Sequence, residues 1–355
     1  MSSPAFWSGK SVFLTGHTGF KGSWLSLVLD RLGARVTGFS DGVPTTPSLY
    51  EAASVADGLT DRRGDVTVRT AVGAAMRASE PEIVVHMAAQ PIVKVGYSDP
   101  ILTYATNVMG TAHVLQAVRD CPSVRVVLVV TTDKCYDNRE WPWGYRETDR
   151  LGGHDPYSAS KACAELVTAS FRSSFFSRPD CGVVVASARA GNVVGGGDFA
   201  ADRILPDAYR AFSSGAALKV RNPRAIRPWQ HVLDPLWGYL MLIERASADA
   251  ERFSEAWNFG PGSGNEQPVE VLVDGMVARW GDGARWEQEL GEHAKETRQL
   301  RIDASKARQF LGWEPRLPFE AMLDWTTRWY HDFAKGGDAR QLTLQQVNDY
   351  LALVI

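Results

Sequence analysis

Cysteine is scarce. Cys121, Cys135, Cys163 and Cys181 are the four in 355 residues, and none stands at CxxC or other metal-ligand spacing. A disulfide-stapled secreted scaffold is excluded on that ground, and the thiols read as reduced, in a cytoplasmic protein. No apolar run approaches the ~20 residues that span a bilayer, so no membrane segment is expected. Positive charge has no surplus either: 38 Lys and Arg face 41 Asp and Glu, a net charge of −3, which argues against general affinity for nucleic acid. The polar stretch Met1–Lys10 is too short for a secretory leader. What is there, 45% apolar and 22% charged, suffices for one large or two ordinary domains with a full core.

Short β-branched runs alternate with helix-like stretches. Ser11–Thr15, Arg35–Phe39, Ile83–Met87, Arg125–Val130 and Gly182–Ser187 read as strands, each too short for a helix and apolar on both faces. Trp24–Arg31, Thr70–Ala78, Val108–Arg119 and Tyr157–Phe175 read as the helices between them. This alternation predicts an α/β fold, a Rossmann-type doubly wound parallel sheet with a smaller mixed α/β substrate-binding region. The dinucleotide-binding domain is assigned to residues 8–188, with a returning segment near 229–258. The substrate region takes residues 189–228 and 259–335, and residues 336–355 form a terminal helix. Whether that helix packs on its own subunit or on a partner is not legible.

The first strand runs into Thr15-Gly16-His17-Thr18-Gly19-Phe20-Lys21-Gly22 before a helix opens. A side chain at Gly16 would obstruct the turn, and one at Gly19 would hold the backbone off a diphosphate. The helix start then offers free N–H groups to the anion. Gly16, Thr18, Gly19, Phe20 and Gly22 are therefore candidate cofactor-binding residues. A turn that only lets strand and helix approach closely is the alternative. His17 either fixes the loop or touches phosphate. After the second strand, Asp41 is a candidate partner for the ribose hydroxyls of NAD, or else a solvated turn acid. No arginine cluster follows to receive a 2′-phosphate.

Asp155-Pro156 is a helix start, an N-cap followed by proline in the first turn. Tyr157 and Lys161 then stand four apart on one face. A free phenol, with a pKa of ~10, is a poor base. The reading is that the Lys161 ammonium, together with a nicotinamide cation, lowers that value and makes Tyr157 a base toward a sugar hydroxyl.

Gly16-x-x-Gly19-x-x-Gly22 with Tyr157-x-x-x-Lys161 resembles the extended short-chain dehydrogenase/reductases. Thr132-Asp133-Lys134-Cys135-Tyr136, Ser187-Ala188-Arg189-Ala190-Gly191-Asn192-Val193 and Arg227-Pro228-Trp229-Gln230-His231-Val232-Leu233 narrow this to the nucleotide-sugar 4,6-dehydratases, over nearly the whole chain. The resemblance implies NAD as cofactor, a nucleotide-sugar substrate, and a homodimer or homotetramer. It implies C4 oxidation, loss of water across C5–C6, and return of the hydrogen to C6. Thr132 would lie near the C4 hydroxyl, Asp133 would be the acid at O6 and Lys134 the base at C5. A lysine at position 134, where relatives usually carry glutamate, points to the CDP branch.

Asp65 resembles the acid at the adenine, and Ala88, Ala89 and Gln90 the loop after the fourth strand, with Gln90 toward the substrate. Asn192, Arg203, Arg227 and Arg298 are the implied contacts to the substrate, surface or interdomain ion pairs being the alternative for each arginine. Gly96 replaces a usual serine, and Lys295–Arg298 departs from the usual His-Glu-rich pattern. An epimerase, a dehydratase for another nucleotide, or a silent dinucleotide-binding regulator are the rival readings.

Overall fold

The β-branched runs become strands because a sheet covered on both sides buries nearly every residue of them. The computed structural model describes residues 4–178, 181–289 and 299–355. In it β1 (Ser11–Thr15), β2 (Arg35–Ser40), β3 (Leu59–Arg63), β4 (Ile83–His86), β5 (Val126–Val130), β6 (Val184–Arg189) and β7 (Ala256–Asn258) form one sheet, in the order β7-β6-β5-β4-β1-β2-β3. Every pairing is parallel. Parallel neighbours need crossovers, and these include α1 (Phe20–Arg31), α2 (Arg69–Ser79), α3 (Gly110–Arg119) and α4 (Pro156–Phe171).

Alternation along each strand divides the core in two. Val12, Leu14, Val126, Leu128 and Val130 pack on the face covered by α1. Phe13, Val84, Val127 and Val129 pack on the other, with Val114, Leu115 and Val118 of α3. β3 escapes the sequence reading: its LTDRR is polar and mostly exposed, paired only through β2 at the sheet edge. Its strand signal lies in register rather than in apolarity.

Beyond β6 the chain makes three two-stranded pairs, 193–194 with 230–231, 226–228 with 266–268, and 218–220 with 286–288. It also adds α5 (Ile204–Ser213), α6 (Leu233–Ala248), α7 (Val269–Trp280), α8 (Phe319–Ala334) and α9 (Ala339–Val354). The terminal helix α9 packs on its own subunit. Tyr350 of α9 donates to Asp234 Oδ1 at 2.8 Å, and Arg31 of α1 donates to Asn348 at 2.8 Å. Among the described residues no helix is long and apolar enough to cross a membrane.

β1 is flanked by β2 and β4, so the chain departs from it in opposite directions. This is the point where a crevice opens at the carboxyl ends of the strands. The segments singled out in the sequence leave β1, β4, β5 and β6 at this end.

Candidate active site

Gly16 has a φ of +77°, and a Cβ there would lie 2.7 Å from the backbone nitrogen of Ala88. At Gly22 a Cβ would meet the carbonyl oxygen of Gly16 at 2.1 Å. Both positions demand glycine for close packing. Gly19 differs: a Cβ there would meet the carbonyl oxygen of Gly16 at 3.4 Å, an ordinary contact. It caps α1 without a side-chain hydrogen bond, leaving the first N–H groups of the helix for a ligand. A diphosphate fits that cradle.

The loop is braced from behind. Thr18 donates to the carbonyl of Gly42 at 2.6 Å, tying it to the turn that carries the exposed Asp41. His17 is fully buried, with Nδ1 3.0 Å from Ser40 Oγ and Nε2 2.9 Å from Asp61. It fixes the loop. Phe20, Ala88 and Ala89 line the crevice half-buried, and Ala88 N donates to Thr15 Oγ1 at 3.1 Å. Asp65 accepts from Thr67 N at 2.7 Å, which holds the turn after β3.

α4 starts as its sequence dictates, Asp155 accepting from Ser158 N at 3.0 Å with Pro156 behind it. Tyr157 and Lys161 are both buried. The lowering expected at Tyr157 draws on a nicotinamide cation as well as Lys161; in the protein alone burial dominates. Burial pushes the phenol up to about 12, against the lowering pull of a Thr132 hydrogen bond and the Arg203 charge. Burial likewise pushes Lys161 down to about 8. Desolvation penalises both charged forms, and the Lys161 ammonium donates to the carbonyl of Val130, at 3.4 Å, at the end of β5.

Thr132 and Asp133 follow directly from β5. Thr132 donates to Asp133 Oδ1 at 2.9 Å, and both are buried. Burial raises the Asp133 pKa, partly offset by the Lys134 and Arg227 charges. A Cβ on Gly191 would lie 1.8 Å from the Asp133 carboxylate, so that glycine makes the room the acid occupies. Lys134 is exposed, its Nζ 5.9 Å from the centre of the Tyr157 ring. Gly96 lies behind Tyr157, where a Cβ would be 3.3 Å from the Tyr157 nitrogen.

On the substrate side, Arg203 pairs with Asp198 at 2.7 Å, and its charge bears on Tyr157. Arg227 is felt by Asp133, and Asn192 takes a left-handed turn, φ 45°, just beyond Gly191. Gln90 is engaged through its own loop. Its amide donates to Thr103 at 2.8 Å and accepts from Ile92 N at 2.6 Å. Arg298 and the Lys295–Arg298 departure lie outside the described residues.

Two residues that bear on the site carried no sequence reading. Gly191 went unread because its neighbour in space is 58 positions away in sequence. Lys21 went unread because the glycines around it carried the motif; its signal was a lysine in the first turn of a helix, where a cation is disfavoured.

Residues 13–326 match the family described as GDP-mannose 4,6 dehydratase. The chain is 47% identical to a CDP-glucose 4,6-dehydratase of Salmonella typhimurium over 350 residues, covering 98% of both chains. It is 28% identical to a dTDP-glucose 4,6-dehydratase of Xanthomonas campestris, covering 89% of this chain and 92% of that one. In three dimensions it resembles the dTDP-glucose 4,6-dehydratase of Bacillus anthracis, solved in complex with NAD, with a TM-score of 0.76 and 20% identity over 92% of this chain and 98% of that one. A glycine cradle at the switch point, a Tyr–Lys helix beside it and a buried Thr–Asp pair are thus found in a chain that belongs to the GDP-mannose 4,6 dehydratase family, within the NAD-dependent epimerases and dehydratases.

Proposed function

We propose that the chain is a CDP-glucose 4,6-dehydratase, converting CDP-glucose to CDP-4-keto-6-deoxy-glucose with NAD as resident cofactor. One observation carries the reading beyond an epimerase. A buried acid, Asp133, is hydrogen-bonded to Thr132, and Thr132 in turn is bonded to the tyrosine phenol. An epimerase has no use for a second proton donor, whereas elimination of water needs one. The 47% identity to the Salmonella typhimurium enzyme supports the choice of nucleotide.

The dinucleotide supplies an acceptor and later donor for the hydrogen of C4. Gly16, Gly19, Gly22, Thr18, Phe20, Ala88 and Ala89 would hold it, with Asp41 and Asp65 toward its adenosine half. Tyr157 Oη receives the O4 proton. The buried phenol ionises only with cations close by, which makes Lys161, one turn further on, its required neighbour. Burial favours the protonated form of Asp133, suiting it to protonate O6 as it departs. Lys134, standing over the Tyr157 ring, takes the C5 proton. Asn192, Arg203, Arg227, Gln90 and Arg298 are assigned to the substrate.

The dinucleotide-binding part spans residues 8–188 with the returning 229–258, and the pairing of β7 with β6 supports that return. Exposed apolar side chains on adjacent helical segments, Ile101, Leu102, Met109 and Leu166, support a homodimer or homotetramer. The four free cysteines accord with a cytoplasmic location.

Mass spectrometry of CDP-glucose incubated with the chain and NAD tests the proposal. A product lighter by one water is expected. An isomer of unchanged mass, or turnover of UDP-, dTDP- or GDP-sugar in preference, overturns it.

A further inference from the structure

Lys21 occupies the second position of α1, two residues after Gly19, which caps the helix. The N-terminal end of a helix carries partial positive charge, so an ammonium there is disfavoured unless an anion joins it. Helical side chains lean back toward the N-terminus, and this is the end of α1 that the glycine loop enters. Its one side-chain hydrogen bond among the described residues goes to a neutral group, the Tyr239 hydroxyl of α6, at 3.2 Å. The charges that bear on it are Lys161 of α4 and Arg203 at the start of α5, both repelling, and Asp133 after β5, attracting. Three cations from three elements therefore converge at one cleft, facing an acid whose burial favours its neutral form. Arg203 has its own partner in Asp198, whereas Lys21 and Lys161, among the described residues, hydrogen-bond only to a hydroxyl and a carbonyl, which leaves their charge available to a polyanion.

We propose that Lys21 is a further cofactor-binding residue, its ammonium pairing with the diphosphate that the glycine loop cradles. The inference rests on the dinucleotide reading above. A second diphosphate, that of the sugar nucleotide, enters the same cleft, and the test separates the two. The geometry carries a consequence for protons. Burial together with Lys161 and Arg203 holds Lys21 at about 7, so at pH 8 the ammonium is largely deprotonated until an anion arrives. Binding of the diphosphate raises its pKa, and a proton is taken up. Affinity is then greatest below pH 7 and declines as pH rises through the pKa of the bound state.

The experiment is calorimetric titration of the full-length chain with NAD and, separately, with CDP, for wild type, Lys21→Met and Lys21→Arg. Running it at pH 8 in two buffers of different ionisation heat counts the protons. Lys21→Met keeps the aliphatic stem and the helix. It is expected to weaken NAD about tenfold or more and to reduce the proton uptake. Lys21→Arg is expected to restore most of the affinity, and CDP binding to stay unchanged, which also shows that the variant is folded. Equal NAD affinity and equal proton uptake in Lys21→Met overturn the inference, as does a loss confined to CDP. A wild-type chain that binds CDP but not NAD defeats the dinucleotide reading itself.

Discussion

Tyr157 and Lys161 share a helix face, yet burial works on them in opposite directions. The phenol is held up at about 12 and the ammonium down at about 8. For Lys161 the consequence for stability has a definite sign. Between pH 8 and ~10.4, the pKa of an unfolded lysine, the unfolded chain binds more protons at this site than the folded one, so this residue makes stability rise with pH. Lys161→Met is therefore expected to be more stable than wild type to urea at pH 7, with the gap closing by pH 10. A gap that does not change with pH would remove this account. Lys134 bears on chemistry alone. With Lys134→Met, exchange of the C5 hydrogen with solvent deuterium is expected to vanish while NAD binding persists. Undiminished exchange would remove Lys134 from that role.

At the scale of elements, the site is built where strand ends meet helix starts. The turn after β6 brings Gly191 against Asp133, and a methyl group there would overlap the carboxylate. Gly191→Ala is expected to lower kcat by two orders of magnitude or so, about what loss of a positioned acid costs, while NAD titration is unaltered. Asp155 caps α4 two residues before Tyr157, so Asp155→Ala is expected to lower stability by about 1 kcal/mol in urea unfolding. These element starts were legible because capping chemistry is local: Asp155-Pro156 predicts the helix, and the glycines predict the turn. β3 was not legible, since its LTDRR has no apolar face to betray it. Nor was the room that Gly191 leaves, because no local rule relates it to Asp133.

Across the whole molecule, β7 and α6 return to the sheet after the excursion through residues 190–232, so the cleft has walls from distant parts of the sequence. The helical segments bearing Ile101, Leu102, Met109 and Leu166 leave those side chains exposed, Ile101 at 76%. An apolar surface of this kind is usual at an interface. Ile101→Glu together with Leu166→Glu is expected to reduce the mass measured by light scattering to that of a single chain, with circular dichroism unchanged. A wild-type chain that is already monomeric would end the homo-oligomer proposal.

By itself the sequence determined the class of fold, the glycine turn and the Tyr–Lys helix face. The last two are written in spacing over fewer than ten residues, where backbone geometry alone fixes the neighbours, and the first in the alternation of apolar runs with helix-like stretches along the chain. Only the tertiary structure decided the charge state these groups prefer, which loop residues spend their hydrogen bonds on the loop itself, and that α9 folds back on its own subunit. Those properties depend on how much solvent is excluded and by what, and solvent exclusion is created by segments that meet across the whole length of the chain.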